Sequence, residues 1–302
     1  MSLNIEKLIK DLEKEIISTQ EGIFQTDALA RLKQVAVSYK GEDKIVSFSE
    51  IYERVKTQPP VEKIWTGWEQ LDKLLKGIRK KHLIVWAGVT KHGKTSLAMD
   101  LTCKLAQYNP LWLPMEESAE ELMEKFLERG EKPPVGFAPE NIRFVDTDWV
   151  EQKVIEGIAK YNSQIVILDN LSWISPSNSN KFDGKADRIE LTVMQIKAIA
   201  NKWDIPIVLV THVNKESKAD TNPTFENFKG SSAIAQLSDK AVLIWRETNR
   251  GEKGQLEITN NVNVSVQLNR QGGVGNVKMV YDNGHFIEQE WGDTSTGSLA
   301  NF

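Results

Sequence analysis

The chain has 302 residues, a hydrophobic content of 40%, a charged content of 26% and a formal net charge of −4. These proportions belong to a soluble globular protein and exclude a generally basic nucleic-acid coat, although a local basic groove is compatible with them. No apolar run approaches a membrane span, the N-terminus lacks an apolar signal core, and the single Cys103 cannot close an internal disulfide. A cytoplasmic setting, with no membrane partner, is expected. Four histidines and that one cysteine offer no zinc-site spacing, which leaves Mg²⁺ as the metal to look for.

In chain order, residues 3–16 set Ile5, Leu8, Ile9, Leu12 and Ile16 on one face between charges, an amphipathic helix whose stripe needs a partner. A second helix is predicted from Thr26 or Asp27 through Leu29, Leu32 and Val35. Ser47 and Glu50 form a capping box for a short third one carrying Ile51, Tyr52 and Val55. Pro59-Pro60 closes this region, and about 60 residues of short helices make a poor independent core. Docking on the main domain or on a neighbouring subunit is expected. Trp65-Thr66-Gly67-Trp68 then leads into a short helix to Leu75, stopped by Gly77.

The apolar run Leu83 to Trp86 has the length of a buried strand. It feeds a loop reading Gly88-Val89-Thr90-Lys91-His92-Gly93-Lys94-Thr95, the full G-x-x-x-x-G-K-T pattern. Ser96 follows, and Leu97, Ala98, Leu101, Leu105 and Ala106 recur at helical spacing. Between a strand and a helix N-terminus, backbone N–H groups and the helix dipole can wrap a polyphosphate. Gly88 and Gly93 allow backbone shapes and close approach that a Cβ would block. Lys94 is expected to set its charge on the outer phosphates and Thr95 to offer its hydroxyl to Mg²⁺, so ATP and Mg²⁺ are the expected cofactors. The alternative, an ordinary glycine-rich turn, is disfavoured by the strand before it and the helix after it.

Leu111 to Met115 is a second buried strand ending in Glu116-Glu117, and Ser118 with Glu121 caps the next helix. After a proline-containing loop from Gly130 to Pro139, a strand is predicted over Ile142 to Val145 and a helix over Val150 to Tyr161. Ile165 to Leu168 is an apolar strand closed by Asp169, followed by a Ser/Asn-rich loop from Ser172 to Asp183. A helix over Arg188 to Trp203 and a strand over Ile205 to Val210 bring Thr211-His212 to a strand tip. From Lys240 the texture changes. Ala241 to Trp245, Leu256 to Ile258, Val262 to Leu268 and Val277 to Tyr281 are strand-like between Asn/Gly turns, and the tail from Gly292 is Ser/Thr/Gly-rich.

This alternation argues an α/β fold with a mostly parallel sheet covered by helices on both faces and a C-terminal antiparallel extension. Ligands in such sheets sit beyond the C-terminal strand ends. There Asp169 is expected to hold the Mg²⁺ shell, one of Glu116 and Glu117 to activate water, and His212 to sense the γ-phosphate. Each also has a plain structural reading: a turn acid, an acid near a helix N-terminus, an interior histidine.

The blocks TGWEQLD, the phosphate loop, PMEESAEEL, IVILDNLSWI, VTHVNK, FKGSSAIAQLSDKAVLIWR and NRQGGVGNVKMVYD occur in an order that resembles DnaB-like replicative helicase C-terminal domains, over roughly residues 62–288. The resemblance implies a RecA-like P-loop NTPase fold over 61–291, with a helical segment or linker over 1–60 and a disordered tail over 292–302. It also implies an ATP-dependent helicase: a hexameric ring of identical subunits, Mg²⁺-ATP hydrolysis at their boundaries, single-stranded DNA in the channel, and a primase or loader protein as a further partner. By position, Glu116 matches the catalytic glutamate, Asp169 the Mg²⁺-shell aspartate and His212 a phosphate-sensing Gln or His. Arg270 matches the arginine finger of the adjacent subunit, and Lys229, Gly230 and Ser232 match a loop gripping the DNA backbone. Leu268 stands where many members carry a Lys, and residues 1–60 stand where full replicative helicases carry an N-terminal globular domain. The double acid in MEES is also similar to KaiC-like and RadA-like regulatory or recombination ATPases. A non-motor, ATP-dependent scaffold or loader is the third reading.

Overall fold

The computed structural model describes residues 45–89, 91–130, 135–142, 145–177, 184–212, 234, 236–250 and 256–289. The helices expected within residues 3–35, Thr90, the loop residues Lys229, Gly230 and Ser232, and the tail from 292 lie outside these. The chain divides into two compact units, Met1–Pro60 and Val61–Phe302. In the first, helix α1 (Phe48–Thr57) starts where the capping box requires: Ser47 accepts from the Glu50 N–H, and the Glu50 carboxylate accepts from the Ser47 N–H. None of its residues is buried, and Phe48, Tyr52 and Val55 are exposed.

The second unit is built on one eight-stranded sheet. Its strands are β1 (Leu83–Gly88), β2 (Leu111–Pro114), β3 (Val166–Asp169), β4 (Ile207–His212), β5 (Lys240–Arg250), β6 (Leu256–Asn269), β7 (Gly275–Asp282) and β8 (His285–Glu288). The order is β2-β3-β4-β1-β5-β6-β7-β8, parallel through β5 and antiparallel from β5 onwards. Helices α2 (Glu69–Leu75), α3 (Lys94–Lys104), α4 (Ala119–Glu128), α5 (Thr147–Tyr161) and α6 (Lys185–Lys202) complete it.

Strand β1 is buried on both faces, so its residues alternate between two cores. Ile84 and Trp86 join Leu71, Leu97, Leu101 and Phe126 on the face covered by α2, α3 and α4. Leu83, Val85 and Ala87 join Val150, Val154, Val193 and Ile196 beneath α5 and α6. Two helix starts follow local chemistry: Ser118 and Glu121 cap α4 reciprocally, and Asp146 accepts from the Trp149 N–H at 2.8 Å to start α5.

Differences from the sequence reading fall at the edges. No strand forms at Ile142 or Val145; an isolated bridge between Asp146 and Ser175 stands beside them, and 143–144 lie outside the described residues. The runs at 256–258 and 262–268 belong to one strand, β6. Strand β8 was not anticipated. Asn283 (φ 45°) and Gly284 (φ 95°) make the two-residue turn that folds it onto β7. Among the described residues no helix is long and apolar enough to cross a membrane.

Just before β1, the buried His82 accepts from the Arg79 N–H through Nδ1 at 3.2 Å. Burial holds its pKa down at about 4, with the Asp239 charge opposing and Lys240, Lys197 and Arg79 reinforcing the shift. Between about pH 4 and the unfolded value near 6.5 the unfolded chain binds more protons. This contribution to stability is therefore complete above about pH 6.5 and drains away as the pH falls through 4. In urea unfolding at pH 7 and pH 4.5, His82→Asn should lose less stability between the two than the parent; an equal loss would overturn the assignment.

Candidate nucleotide site

Strands β3, β4 and β1 lie side by side and end together, with Asp169 opposite Val210 and Gly88 opposite His212. That edge carries a cleft of about 290 Å³ lined by Lys91, Gly93, Lys94, Thr95, Ser96, Glu116, Asp169, His212, Arg246 and Tyr281. The two loop glycines have different reasons. Gly93 caps α3 at φ 90°, a left-handed shape that disfavours other residues. A Cβ on Gly88 would lie 2.4 Å from the Ile244 carbonyl of β5, so there glycine permits strand approach.

Lys94 opens α3 and folds back on its own loop, Nζ donating to the Val89 carbonyl at 3.1 Å. The side chain is buried, and burial draws its pKa down to about 8 against the pull of Asp169 and Glu116. Thr95 Oγ1 donates to Asp169 Oδ2 at 2.9 Å. Asp169 is 4% exposed, and burial pushes it up to about 6, with Thr95 opposing and the charges of Glu116 and Glu117 adding. A hydroxyl and a buried carboxylate short of positive charge are a fitting pair of hard oxygen donors for Mg²⁺, which takes its other oxygens from phosphate and water. Among the described residues no group of three or more His, Cys, Asp or Glu could hold a metal by itself.

The structure separates the two acids that the sequence left open. Glu117 is ion-paired with Lys125 on α4 and its side chain is only 12% exposed. Glu116 faces the cleft, where Oε1 receives the Asn170 amide, lies 3.3 Å from His212 Nε2 and accepts from Trp173 Nε1 at 3.4 Å. Burial pushes its pKa up, but His212, Trp173 and Asn170 outweigh that and hold the carboxyl below its usual value.

Of the other loop residues, Val89 also accepts from the His92 N–H, Lys91 takes φ 67°, and the Ser96 carbonyl accepts from Arg129 Nη2 at 3.1 Å. His92 Nδ1 accepts from the Arg246 N–H at 3.1 Å, tying the loop to β5. Arg246 and Tyr281 were not singled out in the sequence. Strand β5 runs six residues past Ile244, which pairs with Gly88, and so carries Arg246 over the cleft with its guanidinium 5.0 Å from the Tyr281 ring. Signals existed in WR at the end of one strand and VY at the end of another, but only the register brings them together.

Arg270 does not reach this cleft. Asn269 pairs with Lys240, which pairs with Ile84, so Arg270 sits at the opposite, N-terminal edge of the parallel strands. Four residues of β1 separate that level from Gly88, roughly 13 Å along the strand. There the exposed Arg270 donates through Nη2 to the Gln236 carbonyl, and its N–H donates to the Asp239 carbonyl at 3.1 Å.

Because Lys94 binds fewer protons in the native than in the unfolded state between about pH 8 and 10.5, stability rises with pH across that window. Lys94→Met should therefore raise the Tm of the nucleotide-free protein at pH 7 by roughly 2 °C or more. The gain should shrink towards pH 10.5, and nucleotide affinity should be lost. A lower Tm at pH 7 would show that the ammonium is not held at a cost.

The model of the DnaB-like helicase C terminal domain matches residues 63–135 and 140–287. The replicative DNA helicase DnaB of Pasteurella multocida (strain Pm70) is 22% identical over 276 residues, covering 79% of this chain and 58% of that protein. Among solved structures, an isolated ATPase domain superposes with a TM-score of 0.68 at 16% identity, over 80% of this chain and 97% of that one. A DnaB-like replicative helicase solved in a study of its interactions with primase gives 0.69 at 16% identity, over 94% and 76%. The chain spans 57% to 67% of the length of the first curated relatives it matches. Both superpositions are on RecA-like α/β domains, the architecture of the sheet described above. With 221 of its 302 residues inside the matched ranges, the chain belongs to the DnaB-like helicase C-terminal domain family.

Proposed function

We propose that this protein is the ATPase motor of a DNA helicase, hydrolysing Mg²⁺-ATP at boundaries between identical subunits and moving on single-stranded DNA. The observation that carries the reading is the split of the catalytic set across the sheet: Lys94, Thr95, Glu116, Asp169 and His212 share one edge while Arg270 occupies the other.

Lys94 leaves the Val89 carbonyl for the outer phosphates, which supply the charge its buried position lacks. Thr95 and Asp169 would hold Mg²⁺, which would supply Lewis-acid polarisation of the phosphates. Glu116 takes a proton from the attacking water. The water oxygen bonds to the γ-phosphorus as the bond to the β–γ bridging oxygen breaks, releasing ADP and phosphate. His212 faces the γ-phosphate. Arg246 and Tyr281, stacked at the outer end of the cleft, supply a cationic and an aromatic face for the base and ribose.

Arg270 acts on the nucleotide of the next copy, because its own lies beyond the strand length. A head-to-tail contact of that kind repeats, and a ring closes it; six subunits is the number we propose. Residues 1–60 link neighbouring subunits, and the uncovered Phe48, Tyr52 and Val55 of α1 suit that task. Lys229, Gly230 and Ser232 grip the DNA backbone, one charge plus loop N–H groups being blind to sequence. A primase or loader protein is a further partner.

Glu116→Gln should bind ATP and lose about 10²-fold or more in turnover, whereas Glu117→Gln should keep it. Arg270→Ala should lose about 10³-fold or more with normal ATP binding. Mixing these two inactive proteins should restore hydrolysis at boundaries that hold both intact groups. No recovery while subunits demonstrably exchange would remove the support for action in trans.

The DNA half of the proposal has its own assay. Lys229→Ala should weaken single-stranded DNA binding about equally for all sequences and lower the slope of log affinity against log salt by about 0.7, the loss of one phosphate contact. An unchanged slope would move the DNA path off this loop.

A further inference from the structure

Asn170 is fully buried directly after the Mg²⁺-site aspartate, and its amide is the hub of the polar groups around Glu116. Oδ1 accepts from the Ser172 N–H at 2.8 Å, which fixes the orientation of the amide. Nδ2 therefore faces the cleft with two hydrogens. One goes to Glu116 Oε1, and the other points at His212 Nε2, 3.0 Å away. His212 Nε2 also lies 3.3 Å from Glu116 Oε1, so amide, imidazole and carboxylate meet at one point. Trp173 Nε1, on the 3₁₀ turn Leu171–Trp173 that follows, adds a further donor to the same oxygen.

Two chemical consequences follow. A carboxylate oxygen taken up by N–H donors is a weaker base than one facing water, and a general base works by its proton affinity. An imidazole whose Nε2 is taken up beside Asn170 and Glu116 cannot at the same time reach a phosphate oxygen through that nitrogen, so His212 can engage this pair or the nucleotide but not both through Nε2.

We propose that Asn170 is a positioning residue that restrains hydrolysis, clamping Glu116 and His212 together until His212 turns to the terminal phosphate and frees the carboxylate for water. Trp173 reinforces the clamp from the solvent side, with 58% of its surface exposed. The inference rests on the reading of Glu116 as the water-activating group.

The test measures kcat and KM for Mg²⁺-ATP on the full chain, with and without single-stranded DNA. Asn170→Ala should raise kcat without DNA by about threefold or more, the scale of a changed proton affinity acting through a Brønsted relation. KM should stay within about twofold, a split that general loosening of the fold does not produce. Trp173→Phe removes one exposed donor without threatening the core and should move kcat the same way by a smaller factor; it decides the matter if Asn170→Ala does not fold. Asn170→Ser, which keeps a short donor, should return kcat towards the parent. An unstimulated kcat in Trp173→Phe and in folded Asn170→Ala at or below the parent value overturns the restraint. Glu116→Gln separates the two failures. If it is inactive while the donor variants do not rise, only the restraint is wrong; if it hydrolyses ATP at the parent rate, the reading of Glu116 itself has failed.

Discussion

The hydrogen bond from Thr95 to Asp169 joins the first turn of α3 to the end of β3, and the site is arranged around it. It spans two βα units that lie on either side of β4, which pairs with both β3 and β1. Lys94 precedes Thr95 on the same turn, and Asn170 follows Asp169 on the same strand end. One contact thus sets the distance between Lys94 and Asn170, whose amide reaches Glu116. Gly88 serves the same arrangement from below, because only without a Cβ can β1 and β5 stay in register where the loop departs.

The antiparallel half keeps Arg270 as firmly placed as the cleft residues. Lys240 is fully buried, donates to the Leu75 carbonyl and reaches Asn269 Oδ1 at 3.0 Å. Asn269 Nδ2 donates to the Leu74 carbonyl at 2.8 Å. Those carbonyls belong to the last turn of α2, where helices leave acceptors unmet and favour positive charge. The helix of the TGWEQLD block therefore ends on the side chains that set the turn carrying Arg270. Its other end is held by Glu288 of β8, which accepts from the Gln70 and Leu71 N–H groups.

The strand-loop-helix unit was legible because its signals are local: an apolar run, a glycine at positive φ and a helical period lie within twenty or so residues of one another. Asp169 and His212 were legible as polar ends of apolar strands. Which of the two adjacent acids faces the cleft depends on side chains elsewhere in the chain. Glu116 and Glu117 differ because Lys125 takes one and the Asn170 amide takes the other. Strand β6 read as two because Thr259, Asn260 and Asn261 look like a turn. In the folded chain Arg246 bonds Thr259 and Asn260, and Asn261 bonds Glu247, so polar residues pair across two strands instead of bending one. Ile142 and Val145 form no strand, since both pack into the core under α5 and α6 rather than joining the sheet. Strand β8 went unread although Asn283-Gly284 is a hairpin signal, because the strand after that turn is only four residues long.

Lys94 and Asp169 carry opposite charges in one cleft, yet burial moves each towards its neutral form, to about 8 and about 6. Their mutual attraction does not offset the loss of water, which is the ordinary balance for buried charges. On the function proposed above, a ligand bearing both a polyanion and a divalent cation would offer each the partner it lacks, the phosphates to Lys94 and the metal to Asp169. Binding and stability are therefore linked: the cost of holding both charges away from water is relieved in full only by a ligand carrying both kinds of charge. A nucleotide without its cation would satisfy Lys94 and leave Asp169 facing added negative charge. Arg270, by contrast, is exposed at the far edge of the sheet, so its charge keeps its water and carries no such cost within one chain.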